Sequence, residues 1–108
     1  MPKENREILF TENEVKIALM QFSARKGVKF NIENIKSFEI NSVDAVSVKL
    51  EVFDAANNRT GTVDYAHPEV AAALLGYCMK LKIPLPKAGK KAVVNKNGQT
   101  YLRILHHS

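Results

Sequence analysis

Cys78 and the three histidines, His67, His106 and His107, are the residues best suited to nucleophilic or metal chemistry in this chain. A thiol nucleophile needs a nearby base and a setting that favours the thiolate. Cys78 instead lies in the uncharged run 70–79, VAAALLGYCM, where a thiol serves as packing, and His67 precedes Pro68 as a helix-entry residue. His106 and His107 have no cysteine or carboxylate at metal-ligand spacing. The segment 88–91, AGKK, lacks both the earlier glycine and the Ser/Thr of a phosphate loop. Carboxylates are scattered without catalytic spacing. No catalytic residue, metal site or cofactor is therefore assigned.

Basic residues offer the positive signal. Lys80, Lys82, Lys87, Lys90, Lys91 and Lys96 follow one another with no acid among them, and Tyr101 and Arg103 come just after. Net charge is +5, and it is unevenly placed. Residues 1–66 hold nine Lys/Arg against ten Asp/Glu, whereas residues 67–108 hold seven against Glu69 alone. Lysines beside an aromatic side chain on a strand face can hold phosphates and stack a base. Lysine in place of arginine argues against sequence-specific base readout.

The elements that must position these residues are readable from pattern. One hundred and eight residues, 45% hydrophobic and 25% charged, make a single domain (1–108) with its own core. No apolar run approaches the roughly 18 residues that span a bilayer. The polar opening MPKENRE lacks the form of a secretory signal, and one cysteine forms no internal disulfide. A cytoplasmic, bacterial-type protein without membrane contact is expected.

A short strand is expected over 8–10, then a helix opened by Thr11 and Glu14 in capping-box spacing and closed at Gly27. Residues 28–30 are extended, and strands follow over 36–41 and 45–53. The second of these alternates Val46, Val48, Leu50 and Val52 with polar positions. Residues 60–66 return as a strand, and Pro68 opens a second helix that ends near Lys82. The strip 83–86, IPLP, is extended, and 87–91 is read as a basic loop. Strands over 92–95 and 100–105 close on Asn97-Gly98, a turn that pairs Val93 with Leu102 and Val94 with Tyr101.

A shift of fifty-five residues lays Glu14-Val15 on Glu69-Val70, Ala18-Leu19 on Ala73-Leu74, and Phe22-Ser23 on Tyr77-Cys78. Candidate repeats are 6–53 and 61–105. Each helix keeps a second apolar stripe, Ile17, Met20 and Ala24 in the first and Ala72, Leu75 and Met79 in the second. These stripes either meet each other or form a surface for a partner or a second copy.

The stretch 73–86, ALLGYCMKLKIPLP, with its basic loop and terminal hairpin, resembles a family of small uncharacterised bacterial proteins sharing an A-L-x-x-Y-C segment that leads to I-P-L-P. The resemblance covers the last third of the chain and implies no activity. The expected fold is α+β, two helices on one face of an antiparallel sheet. The expected function is a non-enzymatic interaction module, self-associating or with a protein partner. The alternative is weak, non-specific binding of nucleic acid or another polyanion.

Overall fold

The structure, a computed structural model, describes residues 3–42, 45–83 and 90–107. Its first helix, α1 (Glu12–Arg25), starts where a capping box satisfies two end groups. The Glu14 N–H donates to the Thr11 hydroxyl at 3.2 Å, and the Thr11 N–H donates to Glu14 Oε1 at 2.9 Å. The second helix, α2 (His67–Lys80), has Ala66 at its cap, so only the return bond forms, Ala66 N–H to Glu69 Oε1 at 3.0 Å.

Both helices stop by the same reversal. The Val28 N–H bonds the Ser23 carbonyl and the Ile83 N–H bonds the Cys78 carbonyl, each at 2.9 Å. The left-handed residue at the reversal is Gly27 (φ 89°) in one case and Lys82 (φ 59°) in the other. The helix itself ends at Lys80, close to the Lys82 boundary expected from sequence. The strip beyond Ile83 lies outside the described residues, as does Lys87.

Six strands follow the chain order β1 (Lys3–Phe10), β2 (Ile35–Asn41), β3 (Ser47–Asp54), β4 (Arg59–Tyr65), β5 (Lys90–Lys96) and β6 (Gln99–His107). They form two three-stranded antiparallel sheets, β1-β6-β5 and β2-β3-β4. The single sheet expected from sequence is thus corrected to two. The reason is the pairing of the outer strands: the β5-β6 hairpin takes β1, from the start of the chain, as its third strand, and the β2-β3 hairpin takes β4. A further correction concerns the C-terminal segment: Lys90 and Lys91 belong to strand β5 and not to a loop, and β6 runs beyond the expected end at 105 to His107.

Matching residues occupy matching places in the two sheets. Ile8 pairs with Leu102, and Val63 with Leu50; Val93 pairs with Leu102, and Phe38 with Leu50. Phe10 of β1 packs at 6.2 Å on Tyr77 of α2, while Tyr65 of β4 packs at 6.5 Å on Phe22 of α1. The helices run antiparallel: Phe10, just before α1, meets the far end of α2, and Lys26, just after α1, reaches Glu69 at 3.6 Å.

The inner faces of both sheets and the main stripes of both helices merge into one core. Leu19, Leu50, Leu74 and Leu102 lie at its centre, fully buried. A buried hydroxyl pair, Ser23 Oγ with Tyr65 Oη at 2.5 Å, ties α1 to β4. Where the helices cross, a Cβ on Gly76 would stand 2.7 Å from Arg25 Nη2, so the absence of a side chain there lets the guanidinium lie across α2.

Candidate polyanion-binding face

The β1-β6-β5 sheet turns Phe10, Ile8, Leu102, Ile104 and Val93 inward. Because side chains alternate across a strand, the residues between them face out. Pairing register then sets two rows across the three strands: Leu9–Tyr101–Val94 and Glu7–Arg103–Ala92. Lys96 and Gln99 form the next pair toward the turn, where Asn97 and Gly98 both have positive φ and fix the register expected from sequence. Lys90 shares this outer face at the other end of β5.

Three nitrogen donors converge on one oxygen of this face. Glu7 Oε2 accepts from Arg103 Nη2 at 2.8 Å, Arg103 Nε at 2.9 Å and Lys96 Nζ at 3.4 Å. The hydrogen bond from Arg103, supported by Lys96, holds the Glu7 carboxyl below the usual carboxylate range. Lys96 also stands 6.0 Å from the centre of the Tyr101 ring, within cation–π reach. The Tyr101 hydroxyl donates to Gln99 Oε1 at 2.8 Å, which fixes the ring on the sheet. Beside it Leu9 is 50% exposed, an apolar side chain with no core to serve.

Of the basic residues singled out in the sequence, Lys96, Arg103 and Lys90 reach this face together with Tyr101. Lys91 pairs with Ile104 and so lies on the opposite, inner side of β5. Lys80 lies at the end of α2, lining the groove between the helices with Gln21, Ala24, Arg25 and Gly76, and Lys82 is exposed at the reversal beyond. The run of lysines is thus divided among three places. The helical stripes divide too. Ile17, Met20 and Leu75 are half-buried, Ala24 and Ala72 are exposed, and Met79 is 71% exposed.

Glu7 and Leu9 were not singled out by sequence reasoning. The readable signal was local: once Ile8 and Phe10 face inward, Leu9 must face out, and an outward leucine is the anomaly. The Cys78 thiol is fully buried in α2, and His67 Nδ1 lies 3.2 Å from the Val46 carbonyl, as befits a helix-entry residue. Among the described residues no group of three His, Cys, Asp or Glu could hold a metal ion, and no helix is long and apolar enough to cross a membrane.

The corresponding outer face of the β2-β3-β4 sheet has different chemistry. Its rows are Asp64–Lys49–Glu39 and Thr62–Glu51–Ser37, with an open depression of about 820 Å³ at the Asn41 end. No family model, curated protein or solved structure matches this chain.

Proposed function

We propose that the chain is a non-catalytic binding module whose ligand is a polyanion, single-stranded or non-specific nucleic acid, held on the outer face of the β1-β6-β5 sheet. The observation that carries this reading is the row Leu9–Tyr101–Val94 with Lys96 over the ring and Arg103 one pair away. Aromatic and apolar side chains on a solvent face offer a stacking platform, and the flanking cations meet phosphates. Strand composition agrees. The β1, β5 and β6 strands carry Lys3, Arg6, Lys90, Lys91, Lys96 and Arg103 against Glu4 and Glu7. The β2, β3 and β4 strands carry Lys36, Lys49 and Arg59 against Glu39, Glu51, Asp54 and Asp64.

The same reading includes an internal duplication, with 6–53 and 61–105 as two copies of a β-α-β-β unit that have exchanged their first strands. The equal spacing of helix caps, the paired reversals and the reciprocal Phe10–Tyr77 and Tyr65–Phe22 contacts support it. Under duplication the two outer faces began alike, and the one that gained aromatic and basic residues is the one that acquired a ligand. Self-association through the helical stripes is less well supported, because Ile17, Met20 and Leu75 are already half-buried within the chain.

The test is a fluorescence-anisotropy titration of labelled oligothymidylate with the purified chain at several salt concentrations. Binding is expected near 10⁻⁴–10⁻⁶ M at physiological salt, the order of magnitude of non-specific binders, and must weaken as salt rises. Absence of binding at low salt, or binding indifferent to salt, sinks the reading.

A further inference from the structure

We propose that Glu7 is an intramolecular competitor for the phosphate site: its carboxylate occupies the position between Arg103 and Lys96 that a phosphodiester oxygen of the ligand takes, and binding displaces it. This inference rests on the polyanion reading above and adds a residue that regulates the same site.

The argument is geometric. Arg103 presents two N–H groups, and Lys96 a third donor, to a single oxygen of Glu7. An arginine fork with a lysine beside it matches a phosphate as well as a carboxylate. All three side chains are partly exposed, between 33% and 49%, so a ligand oxygen can reach the donors from solvent. The neighbouring Tyr101 ring, with Lys96 at 6.0 Å, would hold a base while the donors hold the adjoining phosphate. Glu7 is brought there from the opposite end of the chain by the β1–β6 pairing, Glu7 opposite Arg103. Without that strand the outer face would present Arg103, Lys96 and Lys90 uncompensated. With it, one of these positive charges is offset until a multivalent anion arrives. A single carboxylate held by partly exposed, solvent-screened contacts is readily outcompeted by a polyanion that engages several cations at once.

The experiment compares wild type, Glu7→Gln and Glu39→Gln in the oligothymidylate titration at low salt. Both substitutions remove one negative charge from an outer sheet face, but only the first removes the charge paired with Arg103 and Lys96. Glu7→Gln is expected to bind about two- to fivefold more tightly than wild type, the range that an exposed ion pair converts to. Glu39→Gln is expected to match wild type. Circular dichroism and thermal midpoints confirm that both variants are folded. A third variant, Glu7→Gln combined with Arg103→Gln, is expected to lose the gain. Equal tightening by Glu7→Gln and Glu39→Gln would show a net-charge effect and overturn the competitor role while leaving the polyanion reading intact. Weaker or unchanged binding by Glu7→Gln would overturn it too. No binding by any of the variants would remove the competitor role together with the reading beneath it.

Discussion

The two sheets are built by the same path yet end in different chemistry on their outer faces. Inside, the positions agree in kind: Ile8 with Val63, Phe10 with Tyr65, Leu102 with Leu50, Val93 with Phe38. Outside, Leu9–Tyr101–Val94 stands where the other sheet has Asp64–Lys49–Glu39. Packing constrains the inner positions, because a change of even one methylene in a close-packed core is felt. It does not constrain the outer ones. The apolar, aromatic row on a free face is what the proposed binding reading rests on, while the mixed-charge row of the other sheet is readily solvated.

The sharpest way to break this comparison is through the core. Leu50→Ala and Leu102→Ala should each cost on the order of 2–5 kcal/mol, since both side chains are fully buried at the same pairing position of their sheets. Urea midpoints measure this, and a clear tolerance of one but not the other would end the comparison of the two sheets. Tyr65→Phe leaves the Ser23 hydroxyl buried without its partner and should cost about 1–2 kcal/mol. The counterpart change of Phe10, which carries no hydroxyl, has no such effect to give.

Tyr65 also predicts a pH dependence. Burial holds its phenol above the usual tyrosine pKa, with the Ser23 hydrogen bond opposing only in part. The unfolded chain then ionises first as pH rises past about 10. This contribution to stability is complete below that pH and is lost as pH climbs through the raised folded-state value. Denaturation midpoints across pH 8–11 should fall more steeply for wild type than for Tyr65→Phe, by roughly the difference one phenol makes. Equal slopes would mean that the ring is not held as described.

Two smaller effects sharpen the contrast between the halves. Tyr101→Ala should weaken oligonucleotide binding by on the order of 1 kcal/mol in the anisotropy titration, and Lys49→Ala, at the matching place on the other sheet, should leave it unchanged. Lys82→Gly should stabilise the fold by about 0.5–1 kcal/mol, because Lys82 holds a left-handed conformation that its counterpart Gly27 adopts freely. A thermal midpoint that falls on Lys82→Gly would show that the lysine side chain contributes more than its backbone strain costs.

Local features of this fold were legible in the sequence, and the long-range ones were not. The Thr11/Glu14 box, the alternation of Val48, Leu50 and Val52, and the Asn97-Gly98 turn each depend on residues a few positions apart, and each is present. Which strands share a sheet depends on contacts such as Lys3 with His107, which no local period encodes. That is why one sheet was expected where two exist. The candidate face shows the same division. Tyr101 beside Val94 and Ala92 beside Arg103 followed from the hairpin register, whereas Glu7 beside Arg103 required the long-range β1–β6 pairing. The lysine run misled in part, because strand alternation sends Lys90 and Lys91 to opposite sides of β5.

The central claim, that the β1-β6-β5 sheet presents the ligand-binding face and the β2-β3-β4 sheet does not, is tested most directly by mapping amide chemical shifts of the labelled chain during an oligothymidylate titration. The account predicts that the perturbed amides cluster on Glu7, Leu9, Val94, Lys96, Tyr101 and Arg103, with Glu39, Lys49 and Asp64 unmoved. Perturbations centred on the second group, or on the helix groove at Ala24 and Gly76, would contradict it.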